Sequence, residues 1–337
     1  MGRCAMWNRR HGKPRGKGLG SRKLAARYVL VIVLVWLLPA LWTPAAGAQT
    51  SPRRPAITGI SHLTLYADDL ARSERFYTQR LGWEQVPAAG AGSGVRFYAN
   101  HQQYIELLSP PQPNLSDRLA GFGFVTADAD GLRHFLGAHG VAVPSHVTTE
   151  RDGSRTFLVH DPAGNRVAFT QLGSHPVPAP ADLSRRLSTH IMHLGFVARD
   201  RAALDGFYKN LLGFSLYWQG SAKPGKADWV MMQVPDGTDW IEYMLYLPAA
   251  PGRAQLASAN HFAPGVDSID ALQKQLRAQG WKPSAEEKPP LLALDGKWQL
   301  DLFDPDGTRV EFMEFKPVGK VCCSPFTGRT PGAYPHW

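Results

Sequence analysis

One stretch of this chain occurs twice. From His62 it reads HLTLYADDLARSERFYTQRLGW, and from His193 it reads HLGFVARDRAALDGFYKNLLGF. His, Phe-Tyr, Leu-Gly and the closing aromatic coincide without a gap, at an offset of 131 residues. Each copy predicts a short apolar strand, an acidic turn and an amphipathic helix. In the second copy Leu204, Phe207, Tyr208 and Leu211 take the i, i+3, i+4, i+7 spacing of one buried helix face, and Gly213 closes the helix. A repeat this long marks a duplication, and it constrains the fold more than composition does.

A second pair of matching segments lies between and after these. DPAGNRVAFTQ begins at Asp161 and DPDGTRVEFME at Asp304. The chain is therefore ordered A-B-A′-B′, with units at 57–110, 120–172, 189–247 and 257–316. A unit of about 55 residues is one supersecondary repeat and cannot bury a sheet face alone, so units must pair. The expectation is an α+β fold of two tandem domains, 57–174 and 188–318. Each consists of two paired βαβββ units whose mixed sheet curls around a cavity. Residues 175–187 read as a Pro- and Ala-rich linker, and 319–337 as a Pro/Gly-rich tail. Short linkers favour pairing of the third unit with the fourth. A swapped arrangement would instead bring His62 and Glu106 to His261 and Glu311.

The net charge of +9 suggests a basic protein, but its distribution removes that reading. Nine of the 37 basic residues fall in residues 1–48, which contain no acid, and the remainder carries 28 basic and 28 acidic residues. Charge thus gives no case for a nucleic-acid partner. Residues 1–48 resemble a secretory signal: a basic start, the apolar run 28–42, then Ala46-x-Ala48 at cleavage-site spacing. The run is short against the about 20 apolar residues of a membrane span. The expectation is a secreted or periplasmic chain starting at Gln49, the alternative being an uncleaved anchor over 28–48. Cys4 would leave with the signal. Cys322 and Cys323 remain, adjacent, in the tail, where they can pair with each other, bridge to another chain or stay free.

Two positions in each unit carry the chemistry, one early in the first strand and one in the last. The third unit places His193 and Glu242 there, and the fourth His261 and Glu311. Tyr104-Ile105-Glu106 mirrors Trp240-Ile241-Glu242, so the first unit places His62 and Glu106. The second unit places Phe122 and Ala168, which cannot ligate. Side chains alternate faces along a strand, so paired units bring four such positions into one cavity. His193, Glu242, His261 and Glu311 are two imidazoles and two carboxylates, a set suited to one divalent metal of the Zn, Ni, Mn or Fe kind. His62 and Glu106 read as an inherited half-site. His190 is excluded, because three residues along a strand reverses the face. Trp218, Trp229, Met231, Trp240 and Tyr243 are candidate cavity walls.

The βαβββ units, the FY…LGF helix end, the DPxGxxxEF turn and the His/Glu/His/Glu set resemble the vicinal oxygen chelate superfamily. It includes glyoxalase I, fosfomycin- and bleomycin-resistance proteins, methylmalonyl-CoA epimerase and extradiol dioxygenases. The resemblance covers about residues 57–174 and 188–318. It implies a metal that chelates two neighbouring oxygens of a small substrate. Four units with one intact site are similar to the extradiol dioxygenases, and His193, His261 and Glu311 would then be a 2-His-1-carboxylate triad. That signature also has a Tyr three residues before the Asp of the DP turn, and a His upstream. Asp301 stands at the Tyr position, and Leu292, Ala293 and Leu294 where the His would lie. Glu242, the added carboxylate, is similar to a ligand of bacterial glyoxalase I, where a ligand carboxylate moves a proton. The expectation is lyase or isomerase chemistry with Glu242 or Glu311 as base. A ring-cleaving dioxygenase and a non-catalytic binding protein are the alternatives.

Overall fold

The computed structural model describes residues 53–87, 94–174, 183–283 and 288–334. The candidate signal, residues 1–48, lies outside them, and no helix among the described residues is long and apolar enough to cross a membrane. The first half contains β1 (Ile57–Tyr66), α1 (Leu70–Arg75), β2 (Glu84–Pro87), β3 (Val95–Tyr98) and β4 (Tyr104–Leu108). It continues with β5 (Leu119–Thr126), α2 (Ala129–Ala138), β6 (Thr148–Thr149), β7 (Arg155–His160) and β8 (Arg166–Gln171). The second half repeats the series: β9 (Ile191–Val197), α3 (Arg201–Leu204), β10 (Ser215–Gly220), β11 (Trp229–Gln233) and β12 (Trp240–Met244). An added helix α4 (Arg253–Ala259) precedes β13 (His261–Val266), α5 (Ile269–Ala278), β14 (Leu291–Leu292), β15 (Trp298–Phe303) and β16 (Arg309–Glu314).

The acidic or hydroxyl residue before each repeated helix is its N-cap. Asp69, Asp128, Asp200 and Ser268 each accept from the backbone N–H three residues on, at 3.0 to 3.2 Å. This satisfies a donor that the first turn leaves without an intrahelical partner.

Each half forms one eight-stranded mixed sheet, in the orders β2-β3-β4-β1-β5-β8-β7-β6 and β10-β11-β12-β9-β13-β16-β15-β14. Within each sheet the first strands of the two units pair antiparallel, β1 with β5 and β9 with β13. Each of these strands also pairs parallel with the last strand of its own unit. The third unit therefore pairs with the fourth, and the swapped arrangement is not formed.

The buried helix face differs from the simple periodic expectation. After α1 and α3 the chain widens into π turns over Phe76–Arg80 and Asp205–Leu211. Leu81 N–H reaches Phe76 O at 3.1 Å, and Leu212 N–H reaches Phe207 O at 3.0 Å. The extra residue per turn rotates the end of the helix about its axis. Leu212 is consequently fully buried and Leu211 only half-buried, which corrects the i+7 expectation.

One apolar core joins the outer faces of both sheets, with Phe122 stacked on Phe196 at 5.1 Å and Tyr77 near Phe262 at 6.3 Å. Across it the repeated motifs exchange partners. Tyr77, from the first Phe-Tyr, donates to Asp304 Oδ2 at 3.1 Å, and Tyr208, from the second, donates to Asp161 Oδ2 at 2.9 Å. Each aspartate's other oxygen holds its own turn. Asp304 Oδ1 accepts from the N–H groups of Asp306 and Thr308, and Asp161 Oδ1 from those of Ala163 and Asn165. Burial pushes Asp304 up to about 6, against these hydrogen bonds. Removing the Tyr77 phenol strands Asp304 Oδ2, whereas Asp161 Oδ2 keeps the Asn165 amide at 2.9 Å, so Tyr77→Phe should cost about 1–3 kcal/mol and Tyr208→Phe about 0.5–1.5 kcal/mol. Denaturant unfolding measures it, and wild-type midpoints in both would mean the exchange contributes nothing.

Candidate metal centre

The period-2 alternation of the strands sends Leu194, Ile241, Phe262 and Val310 into the shared core and turns their neighbours to the inside of the curl. His193 on β9, Glu242 on β12, His261 on β13 and Glu311 on β16 thereby meet, all buried, with one potential ligand atom from each within 4.8 Å of the others. His193 Nε2 and His261 Nε2 are 3.1 Å apart. Glu311 Oε2 lies 3.2 Å from the first and 3.1 Å from the second. Glu242 Oε2 lies 3.8 and 3.5 Å from the same two atoms. Ligands at 2.0–2.2 Å from a common ion would be about 3 to 3.5 Å apart at octahedral or tetrahedral angles, so most of these separations match and Glu242 is slightly withdrawn.

Two further observations fit a cation. Glu311 Oε2 is buried and makes no hydrogen bond of proper geometry. His261 Nδ1 donates to the Ala259 carbonyl at 2.8 Å, which leaves the Nε2 lone pair facing the cluster. The donor set is hard to borderline, with nitrogen and oxygen only, and suits one divalent metal.

Arg309, which the motif comparison does not single out, borders the cluster. It shares a strand face with Glu311, two residues away, and this alternation was the available signal. Its Nη1 donates to Glu311 Oε1 at 3.0 Å, its Nε to the Ser258 carbonyl at 2.9 Å, and its Nη2 lies 2.9 Å from His261 Nε2. Burial alone would push the Glu311 carboxyl up. Arg309 and the two imidazoles outweigh it and hold Glu311 well below the usual carboxylate range. Burial lowers His193. For His261, burial and Arg309 push down, and the two carboxylates more than compensate, so proton and metal compete for one lone pair.

Trp240 stacks on His193 with ring centres 5.0 Å apart, and the buried Lys297 ammonium sits 4.8 Å above Trp240. Burial lowers Lys297 to about 8, against the pull of Asp295 and Glu311. Nothing in the sequence pattern signalled Lys297. Trp218, Met231 and Trp240 line the inner face with Trp229 against them, and the tail's Val321 and Phe326 pack onto the same cluster. Tyr243 does not. It alternates to the outer face, where it meets Phe196 and Tyr208, and so is core rather than cavity wall. Cys322 and Cys323 are disulfide-bonded to each other, and the Cys322 carbonyl accepts from Trp218 Nε1 at 3.0 Å.

The first half brings His62 and Glu106 to the equivalent places, but its other two positions need one correction. Strand register pairs His261 with Gly195 and Thr64 with Gly121, while Phe262 and Phe122 pair with Val310 and Val167. The counterpart of His261 is therefore Gly121. Phe122 corresponds to Phe262 and points into the core, because a slip of one residue reverses the face. Ala168 does correspond to Glu311. His62 stacks on Tyr104 at 4.9 Å, and burial lowers it to about 4.

His190 faces away from the cluster. Its Nε2 is 2.7 Å from Asp239 Oδ1 and its Nδ1 is 2.5 Å from the Gly332 carbonyl. Both partners accept, so both nitrogens must carry protons. Burial pushes the group down, and Asp239 and Gly332 outweigh it, holding it above 6.5. A raised histidine contributes stability that is full below its unfolded value and is lost as pH rises through the folded one. His190 should therefore contribute less at about pH 9 than at about pH 6, while the lowered Lys297 works in the opposite sense. His190→Gln should accordingly lower the melting temperature more at about pH 6 than at about pH 9, and an equal loss at both in thermal scans would contradict this assignment.

A family model described as Glyoxalase/Bleomycin resistance protein/Dioxygenase superfamily matches residues 59–169 and 190–312, more than half of the chain. The chain belongs to this superfamily. Among solved structures, the 2,3-dioxygenase LapB from Pseudomonas sp. KL28 is 14% identical, with 81% of this chain and 98% of that one covered and a TM-score of 0.60. A catechol 2,3-dioxygenase is 16% identical, with 84% and 96% covered and a TM-score of 0.54. The Mn(II)-bound glyoxalase from Novosphingobium aromaticivorans is 18% identical, with 77% and 83% covered and a TM-score of 0.57. At these identities the likeness is one of fold. No curated protein matches the sequence.

Proposed function

We propose that this superfamily member is a divalent-metal-dependent lyase or isomerase of the glyoxalase-like, proton-transfer type. It acts on a small molecule with two neighbouring oxygens. The observation that carries this reading is the fourth residue of the cluster, Glu242, facing both imidazoles. A metal held by His193, His261, Glu311 and Glu242 would supply Lewis acidity to a carbonyl or enediolate oxygen.

The two carboxylates differ in what fixes them. Glu311 is tied by Arg309 Nη1 and held ionised. Among the described residues Glu242 has only the imidazoles as ionic partners, at 3.5 and 3.8 Å. Glu242 is thus the carboxylate free to take a proton from the substrate carbon and return it to the neighbouring one. His193 and His261 orient the ligand set, through the Trp240 stack and the Ala259 carbonyl. The glyoxalase neighbour is named as Mn(II)-bound, which supports a redox-optional metal.

The second reading is an iron-dependent ring-cleaving dioxygenase, favoured by the two-domain match along nearly all of LapB and catechol 2,3-dioxygenase. A dioxygenase needs free positions for substrate and oxygen, and a bound Glu242 would fill one. Asp301 faces the cluster from the tyrosine position, 3.8 Å from Arg309. Apo-protein loaded in turn with Zn, Ni, Mn or Fe(II) should act on α-ketoaldehyde adducts without oxygen. Glu242→Gln should lower that rate at least about a hundredfold, as for a lost general base. Oxygen uptake on catechol with Fe(II) alone would overturn the proposal.

We propose also that the protein is exported, on the charge asymmetry and the Ala46-x-Ala48 site. Intact mass of protein from its native host should begin at Gln49, and a retained 1–48 would favour an anchor.

A further inference from the structure

The inner face of the N-terminal sheet encloses a cavity of about 520 Å³, within the size range of small-molecule sites. On the same face of the C-terminal half, Met192, Met231, Met313 and Trp240 form an apolar cluster with the tail's Val321 and Phe326 packed against it. Strand register gives the N-terminal counterparts. Ser61 replaces Met192, Arg96 replaces Met231 and Thr170 replaces Met313. Large apolar side chains have become short hydroxyls, and one has become a cation.

That cation sits on the carboxylate corresponding to Glu242. Arg96 is buried, with its Nε 3.0 Å from Glu106 Oε1 and its Nη2 3.1 Å from Glu150 Oε2. Its guanidinium lies 4.6 Å over the Tyr104 ring, whose stacking partner is His62, 6° from parallel. Neutral His62 stacks on Tyr104, whose ring also carries the Arg96 guanidinium and meets Tyr98 at 4.9 Å, so a stack of rings borders the cavity. Around it stand the hydroxyls of Ser61, Thr64, Thr148, Ser154, Thr156 and Thr170.

This chemistry selects its ligand. Arg96 and Arg166 face Glu106, Glu150 and Asp152, a lining one charge short of neutral, so an added anion is repelled by the carboxylates and an added cation must lie beside Arg96, each in a poorly solvated space. A hydroxyl both donates and accepts, and can satisfy the carboxylates, the guanidinium and the wall hydroxyls alike. A saturated ring packs its C–H groups against the His62, Tyr98 and Tyr104 rings that line the cavity. We propose that the N-terminal half is a metal-free binding site for a neutral, polyhydroxylated ring compound of monosaccharide size. This inference stands apart from the metal centre and its reaction.

The test is saturation-transfer NMR and calorimetry on the full chain. Methyl β-D-glucoside and myo-inositol serve as neutral probes, D-glucuronate and D-glucosamine as charged ones. At least one neutral probe should bind, at least about tenfold more tightly than either charged one. Ala168→Leu and Thr170→Met, which fill the cavity, should each weaken binding at least about tenfold while leaving the melting temperature and the metal content unchanged. The two variants guard against a fold defect in either. Absence of binding by both neutral probes, tighter binding of a charged probe, or undiminished binding in either folded variant would overturn the proposal.

Discussion

His261→Ala and Glu311→Ala are each expected to abolish tight metal binding, whereas Glu106→Ala should keep the full metal content. Each of the first two removes one of the atoms that converge within 4.8 Å. Even outer-sphere changes at metal sites cost about 10–100-fold in affinity, so loss of a ligand should exceed about a hundredfold. Glu106 occupies the matching strand position in the other half, but Gly121 and Ala168 stand where further ligands would be needed. Its carboxylate is already engaged by Arg96 at 3.0 Å. Elemental analysis after dialysis, with melting curves with and without chelator, distinguishes the cases. A metal bound to the native state raises stability by about 2.7 kcal/mol at a hundred times its dissociation constant, and that increment should vanish in His261→Ala and Glu311→Ala. Loss of metal from Glu106→Ala with retention in the other two would put the centre in the wrong half.

The sequence was legible where periodicity and duplication act together. The repeat required two tandem pairs of units, and the alternation of β12 and β16 put Glu242 and Glu311 on the inner face. It was less legible wherever a single residue of register matters. The π turn after α3 moved the buried position from Leu211 to Leu212, and no local residue announces a π turn. The same sensitivity puts Phe122 in place of Gly121, because the strands LAGFGFVT and HFAPGV share only Phe122 with Phe262 in the true register, too little for the sequence to hold it. Tyr243 failed for a different reason. An aromatic beside a ligand suggests a wall, although the alternation that points Glu242 inward points Tyr243 outward. The crosswise Tyr–Asp bonds were out of reach altogether. Phe-Tyr and Asp-Pro-x-Gly each look like local motifs, and only the packing of one half on the other joins Tyr77 to Asp304 and Tyr208 to Asp161.

Gly195→Ala should disable the metal centre without touching a ligand. Gly195 pairs with His261 across β9 and β13, and a Cβ there would overlap the His261 ring at Cε1 and Nδ1. The imidazole has nowhere to retreat, since Nδ1 is held by the Ala259 carbonyl and the residue is fully buried. The ring must turn away from the cluster or the strands must part, and overpacking of this kind costs about 1–3 kcal/mol. The first half carries the complementary choice. There Thr64 has a side chain, and the residue across from it is Gly121, so no ring has to be accommodated. Metal affinity in Gly195→Ala should fall at least about tenfold, with the protein still folded, as expected when a ligand is misoriented rather than removed. Gly206→Ala is the control, because a Cβ there meets nothing within 4 Å. It should leave metal binding at the wild-type value, with stability unchanged or up to about 1 kcal/mol higher. Wild-type metal affinity in Gly195→Ala would mean that the His261 ring is not held where the structure has it, and the four-residue centre would lose its geometric basis.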